Sequence, residues 1–356
     1  MNPLGPGSRV ALLMDGYLTN RYGKLGIGML RYSPADIVAV IDHEHEGEDS
    51  AAATGILRHC PVVGDAASAL ALGAEALVLG VAPPGGRLPE EWWPHLEAAM
   101  AAGALIVNPL HEPLSSHPKA LELGARVWDV RVEPPNLQPA SMKAAQLGCL
   151  RVLTVGTDMA VGKMTASLEL TLAARRKGIA ADFVATGQTG ICIWGAGVAV
   201  DAVRLDFAPG AVEAEVLRAA GGTPPPQVLF IEGQGAINHP AASASLAILR
   251  GSMPTHLVLC CKANQEFLWR FSELPIPPLQ DLITTYETMA AGGGAFPKPA
   301  TIGICVDTRE LDDESALAYC ENLERVHGIP CVDPVRHGAD RIVDALPMAE
   351  LVSEQP

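Results

Sequence analysis

Residues 150–174 restrict the possible folds more than any other part of the chain. Leu150-Arg-Val-Leu-Thr-Val155 reads as an apolar, β-branched strand. Gly156-Thr-Asp-Met-Ala-Val-Gly-Lys-Met-Thr165 reads as a loop closing on Gly162-Lys163, and Ala166–Ala174 as a helix. Phosphate binding requires this order. Backbone N–H groups at the helix start point at the anion, the helix dipole favours it, and Lys163 adds a full charge. Glycine lets the backbone come close. Gly156, Thr157, Asp158, Val161, Gly162, Lys163, Met164 and Thr165 are therefore the candidate phosphate-binding residues. The alternative is a tight strand-to-helix turn with an incidental Gly-Lys. The loop departs from the common G-x4-G-K-[ST] pattern twice: five residues separate its glycines, and Met164 follows the lysine, with the hydroxyl one later at Thr165. One helical step turns a side chain by about 100°. Thr165 is thus expected to bond a phosphate oxygen rather than hold Mg²⁺. The spacing favours phosphate binding over metal-assisted phosphoryl transfer, and no metal ligands are assigned.

The rest of the chain alternates short apolar runs with helical stretches, which predicts an α/β fold with mostly parallel sheets. Strands are expected near 9–14, 36–41, 75–81, 104–107 and 126–131, then near 151–155, 180–185, 227–232, 256–261, 301–306 and 330–333. Glu133-Pro-Pro-Asn-Leu-Gln-Pro139 interrupts the pattern, because proline resists both helix and ladder. Two tandem doubly wound domains follow, the first over 1–140 and the second, which carries the phosphate loop, over 148–356; the family resemblance given below implies that they are Rossmann-like and P-loop NTPase-like. The net charge of −15, from 40 acidic against 25 basic residues, argues against a nucleic-acid or membrane-surface partner, which would need a basic face. An anionic ligand must then be held by local devices, and lysine is scarce enough to make Lys163 conspicuous. Neither a signal peptide nor an apolar membrane span is legible. The eight cysteines include no C-x-x-C pair; they are expected to be buried thiols in a cytoplasmic protein.

Other chemistry-bearing positions sit at predicted strand ends, where open α/β sheets bind ligands. Glu232 follows the strand Gln227–Ile231, and a carboxylate there is costly unless used or paired. His239 lies just beyond, and either could act as a base, although His239 is also read as a loop histidine before proline. Gln188 and Gln234 are candidate amide donors to an oxyanion or substrate carboxylate, or braces for their loops. In the first half, Asp42 ends the second strand, but the G-x-G-x-x-G needed for dinucleotide binding is missing. His43-Glu-His-Glu46 reads as a solvated acidic loop rather than a metal site. Gly80-Val-Ala-Pro-Pro-Gly-Gly-Arg87 is a pocket candidate. Arg31, Arg87 and Arg131 are candidates to grip a carboxylate, against surface or interdomain ion pairs, and His111 is either a pocket or a structural residue.

The Gly-Thr-Asp opening of the phosphate loop and the Glu232-Gly-Gln-Gly235 segment resemble dethiobiotin synthetase, which would imply an ATP-dependent amide ligase or kinase using Mg²⁺. In that likeness Asp158 and Glu232 would order metal or substrate. The segment Phe183–Gly190, however, lacks the lysine that family carries after its second strand. The ordered set Gly156–Thr165, Ala185-Thr-Gly-Gln-Thr-Gly190, Ile231-Glu-Gly-Gln-Gly235 with His239-Pro240, and Asp333-Pro-Val-Arg336 is more specific. With Gly23-Lys24, Leu30-Arg-Tyr32, Gly80–Pro83, Gly85-Gly86 and Asp129-Val-Arg131, it resembles the two-domain D-glutamate N-acetyltransferase family over nearly the whole chain. Asn108-Pro-Leu-His111 departs from that family's pattern. The resemblance implies a Rossmann-like and a P-loop domain, and transfer of an acetyl group from acetyl-CoA to the amine of D-glutamate. The partner is then a small amino-acid substrate, and a homo-oligomer is expected. Lys163, Glu232 and His239 are the candidate catalytic residues for such a transfer.

Overall fold

Apolar runs without polar alternation become strands covered on both faces. The computed structural model describes residues 3–20, 22–81 and 86–348. The chain divides into two units, Met1–Glu133 with Gln188–Ala202, and Pro134–Gly187 with Val203–Pro356.

The first unit holds β1 (Arg9–Leu13), β2 (Asp36–Ile41), β3 (Val62–Val63), β4 (Ala76–Leu79), β5 (Leu105–Asn108) and β6 (Arg126–Asp129), in the order β3-β2-β1-β4-β5-β6. All neighbours are parallel. This is the Rossmann order, whose direction of winding reverses between β1 and β4. Leu13, Ile41, Leu79 and Ile106 pack against Trp92, Leu96 and Met100, from and just before the helix Trp93–Ala101. Each such side chain contributes about 1.5–3 kcal/mol on burial. The segment Gln188–Ala202, which opens with the helix Gln188–Trp194, belongs to this unit although the chain on either side of it does not. The Ile193 side chain rests on Gly28 of the helix Lys24–Tyr32, and a Cβ at Gly28 would crowd it.

The second unit holds β7 (Leu150–Gly156), β8 (Ala181–Val184), β9 (Val228–Ile231), β10 (His256–Lys262), β13 (Ala300–Asp307) and β14 (Cys331–Val332), in the order β14-β13-β10-β7-β9-β8. Every residue of β7 is buried, and β7 lies between β10 and β9, so the phosphate loop leaves the middle of the sheet. The proline-rich stretch is tied to this unit by Glu213, which accepts from Ser141 N (2.7 Å), Ser141 Oγ (2.8 Å) and Ala144 N (3.4 Å). The fold is thus the α/β pair expected from sequence. Two elements were not legible: β3, and an antiparallel hairpin of β11 (Phe267–Leu268) and β12 (Phe271–Pro275) between β10 and β13. All eight cysteines are free and buried. No helix among the described residues is long and apolar enough to cross a membrane.

Candidate functional site

The phosphate loop has the geometry its sequence calls for. Gly162 stands at φ +89° as the N-cap of the helix Lys163–Arg176, and no side chain caps that helix. Its first-turn N–H groups are therefore left for an anion. Val161 turns into the core, so it serves the loop only through its backbone. Thr157 and Asp158 are buried, while Met164 and Thr165 are half-buried in the first helical turn.

Lys163 is buried and donates from Nζ to the Asp158 carbonyl oxygen at 2.8 Å. Loss of water lowers its pKa to about 8, against the nearby Asp158 and Glu232 charges. Asp158 does not face outward as an open carboxylate. Its Oδ1 accepts from Met159 N (2.6 Å), and its Oδ2 accepts from Gln265 Nε2 and Trp269 N (both 2.6 Å). A buried acid in such a loop is tolerable when donors neutralise it this way.

Glu232 sits at the end of β9, 3% exposed. Its Oε2 accepts from Thr186 N (2.9 Å) and Gly187 N (3.1 Å), and its Oε1 accepts from Gln234 Nε2 (3.1 Å). Burial nevertheless raises its pKa to about 7. Thr186 Oγ1 closes the knot on the Glu232 carbonyl at 2.7 Å. A Cβ at Gly187 would displace the Gln234 amide from Glu232, and one at Gly233 would collide with the Thr154 carbonyl oxygen, so glycine is required at Gly233. The Thr-Gly and Glu-Gly-Gln-Gly motifs are thus two halves of one structure.

His239 is also buried, and both its nitrogens are engaged. Nδ1 accepts from Ala241 N (3.1 Å), which leaves the proton on Nε2. Nε2 donates to the Trp269 carbonyl (3.1 Å) and lies 3.6 Å from Asp158 Oδ1. Tyr286, from the helix Leu279–Ala290, donates to the Gly156 carbonyl (2.8 Å) and accepts from Ile237 N (3.1 Å). A small cavity behind the loop is lined by Lys163, Gln234, Ser245 and Tyr286 among others. Of the four buried side-chain oxygens with no hydrogen-bond partner among the described residues, three, Thr157 Oγ1, Asn238 Oδ1 and Gln265 Oε1, lie here. Asn238 donates to the Thr157 carbonyl (3.0 Å) and Gln265 to Asp158, so all three belong to this loop. Oxygen atoms in that state suit a ligand or water that brings donors.

Sequence reasoning did not single out Thr186, Asn238, Gln265, Trp269 or Tyr286. Thr186 and Asn238 stand within or beside motifs that it did single out, and were within reach. Gln265, Trp269 and Tyr286 carry no local signal, because each meets the loop from a distant part of the chain.

In the first unit, Arg31 and Arg87 are exposed or nearly so. Arg131 is mostly buried, donates from Nε to the Pro109 carbonyl (2.8 Å) and pairs with Asp201. His111 is pushed down from its ordinary pKa by burial and by Arg131. Its ring fills the space a Cβ at Gly86 would need. Residues 82–85 of the expected Gly80–Arg87 pocket lie outside the described residues. Asn108 is buried and, with Asp129, braces the loop before His111: its Nδ2 donates to Asp129 Oδ1 (2.7 Å) and the Glu112 carbonyl (2.8 Å). Asp42 accepts from Leu18 N and Glu44 N, so its carboxylate serves its own loop. Asp42, Glu44 and His45 lie close enough to share a cation. Beyond β1, Asp15 accepts from His43 N (2.8 Å) and His43 Nδ1 (2.5 Å), with His95 Nε2 at 3.6 Å. Gln188 is half-buried at the start of its helix in this unit, whereas Gln234, Glu232, His239 and Lys163 all lie in the second unit.

Comparison with known proteins adds to this geometry. Residues 43–133 match the family described as a domain of unknown function (DUF1611_N), Rossmann-like domain, and residues 138–343 the one described as DUF1611_C, P-loop domain. A D-glutamate N-acetyltransferase from Pseudoalteromonas sp. is 38% identical over 278 residues, covering 76% of this chain and 81% of that protein. One from Tritonibacter scottomollicae is 36% identical over 283 residues, covering 78% and 83%. The crystal structure of a DUF1611 family protein from Anabaena variabilis ATCC 29413 superposes with a TM-score of 0.90 at 46% identity, covering 97% of this chain and 100% of that one.

Proposed function

Because this chain belongs to the DUF1611 family, we propose that it is an N-acetyltransferase that moves the acetyl group of acetyl-CoA to the amine of an acidic amino acid, D-glutamate first among them. The observation that carries the reading is the similarity, over more than three quarters of the chain, to two proteins named for that activity. The phosphate loop supports it. Acetyl-CoA brings phosphates, and the loop offers an uncapped helix start and Lys163 to hold them.

Acetyl transfer needs a neutral amine. The amine nitrogen attacks the thioester carbonyl carbon, the C–N bond forms, and the C–S bond breaks with its electron pair leaving on sulfur. The amine proton must pass to a base. Glu232, with its pKa raised to about 7, exchanges a proton near neutral pH, and Oε1 keeps a lone pair beyond its bond to Gln234. His239 is less suited to the role, since both its nitrogens are held by backbone groups.

The test incubates the protein with acetyl-CoA and D-glutamate and follows free thiol. Thiol release with D-glutamate above other D- and L-amino acids is expected. No release across that panel, together with tight binding of Mg-ATP, would replace this reading with the ATP-dependent ligase.

A further inference from the structure

The hairpin β11–β12 interrupts the chain between β10 and the helix Leu279–Ala290, and neither parallel sheet needs it. Its turn is nevertheless fixed to the phosphate loop and to His239 at two points, and Gln265, just before β11, adds a third bond to that loop. Trp269 N donates to Asp158 Oδ2 (2.6 Å), His239 Nε2 donates to the Trp269 carbonyl (3.1 Å), and Gln265 Nε2 donates to Asp158 Oδ2 (2.6 Å). Below the turn, the Phe271 ring meets His239 edge to face at 5.3 Å. Arg270 holds φ +66°, a conformation uncommon outside glycine.

This tethered backbone presents an indole that is 45% exposed. The Arg270 guanidinium lies 4.2 Å from the indole centroid. On a loosely held loop an exposed tryptophan would mean little. Here the main chain is immobilised on the phosphate loop while the largest flat side chain stays in water. A planar π-face and a cation, held beside a phosphate site, match the base of a nucleotide whose phosphates occupy that site.

We infer that Trp269 and Arg270 form the base subsite for the ligand of the phosphate loop, with the purine of an adenine nucleotide stacking on the indole. The inference rests on reading Gly156–Thr165 as the phosphate site. It also accounts for Asp158, whose carboxylate bridges loop and hairpin, and so for a buried acid in a loop that binds anions.

The test titrates adenosine 3′,5′-bisphosphate and, separately, inorganic pyrophosphate into the full chain by calorimetry. Trp269→Ala is expected to weaken bisphosphate binding by about tenfold or more, the scale of losing one base–aromatic stack. Trp269→Phe should recover most of it. Pyrophosphate should bind both variants as it binds the unmodified protein, which also reports that they are folded. Equal bisphosphate affinity with and without the indole, while Lys163→Met has lost it, overturns the base subsite and leaves the phosphate reading intact. Failure of the unmodified protein to bind either compound overturns both. A change of oligomeric state on Trp269→Ala at unchanged affinity also overturns the subsite, and makes the hairpin a contact between copies.

Discussion

Lys163 and Glu232 are both buried, and burial shifts each away from its charged form. The lysine falls from 10.5 to about 8 and the carboxyl rises from 4.5 to about 7. These shifts carry stability consequences of definite sign. A depressed lysine contributes stability that is present above pH 10.5 and lost as pH falls through about 8. A raised carboxyl contributes stability that is present below pH 4.5 and lost as pH rises through about 7. Near neutral pH the charged form of each therefore costs stability in the ligand-free protein. Lys163→Met is therefore expected to leave the melting temperature of the ligand-free protein unchanged or higher, while abolishing the rise expected on adding acetyl-CoA to the unmodified protein; thermal denaturation with and without acetyl-CoA reads this directly. In turnover, kcat/KM should climb through about pH 7 as Glu232 loses its proton and decline above about pH 8 as Lys163 loses its own. Glu232→Gln should remove the acidic limb and lower the rate by about 10²–10⁴, the usual contribution of a positioned base. The lysine was legible in the sequence because its loop is local. Glu232 was legible as a candidate, but not its partners at Thr186 and Gly187, which only the pairing of β8 with β9 brings beside it.

At the level of elements, the sheet strands could be read from sequence because helices cover both their faces, leaving unbroken apolar runs such as Val228–Ile231. β3 escaped notice, since two valines between Pro61 and Gly64 carry no periodicity. The hairpin escaped it too. Its strands are half-exposed, and its turn uses Trp269-Arg270 where a glycine or asparagine would signal one. Glycines at strand ends are the most demanding positions. Gly233→Ala would drive a methyl into the Thr154 carbonyl oxygen, and the expected loss is about 1–3 kcal/mol, typical of overpacking. Denaturant unfolding would show it as a lower midpoint at unchanged slope. An unchanged midpoint would mean that the β7–β9 junction is looser than these contacts require.

On the scale of the whole molecule, residues 188–202 lie in sequence within the second unit and pack with the first. A fragment of residues 134–356 therefore carries Ile191, Cys192 and Ile193, all buried in the full chain, without the helix Lys24–Tyr32 against which Ile193 rests. Such a fragment is expected to bind a hydrophobic dye and aggregate, and replacing 188–202 by a short Gly/Ser linker should suppress both. Dye fluorescence on the two fragments decides it. By itself the sequence determined what depends on neighbours in the chain: two α/β units, a buried strand turning at Gly162-Lys163 into a helix, and a net charge of −15. Hydrophobic periodicity and backbone geometry act over a few residues, so these features are written where they occur. Only the tertiary structure decided that Asp158 is bound by a hairpin more than a hundred residues away, that both nitrogens of His239 are engaged, and that a helix lying between strands of the second unit joins the first. Those outcomes depend on which strands pair and which apolar faces find cover, and no stretch of sequence records its partner.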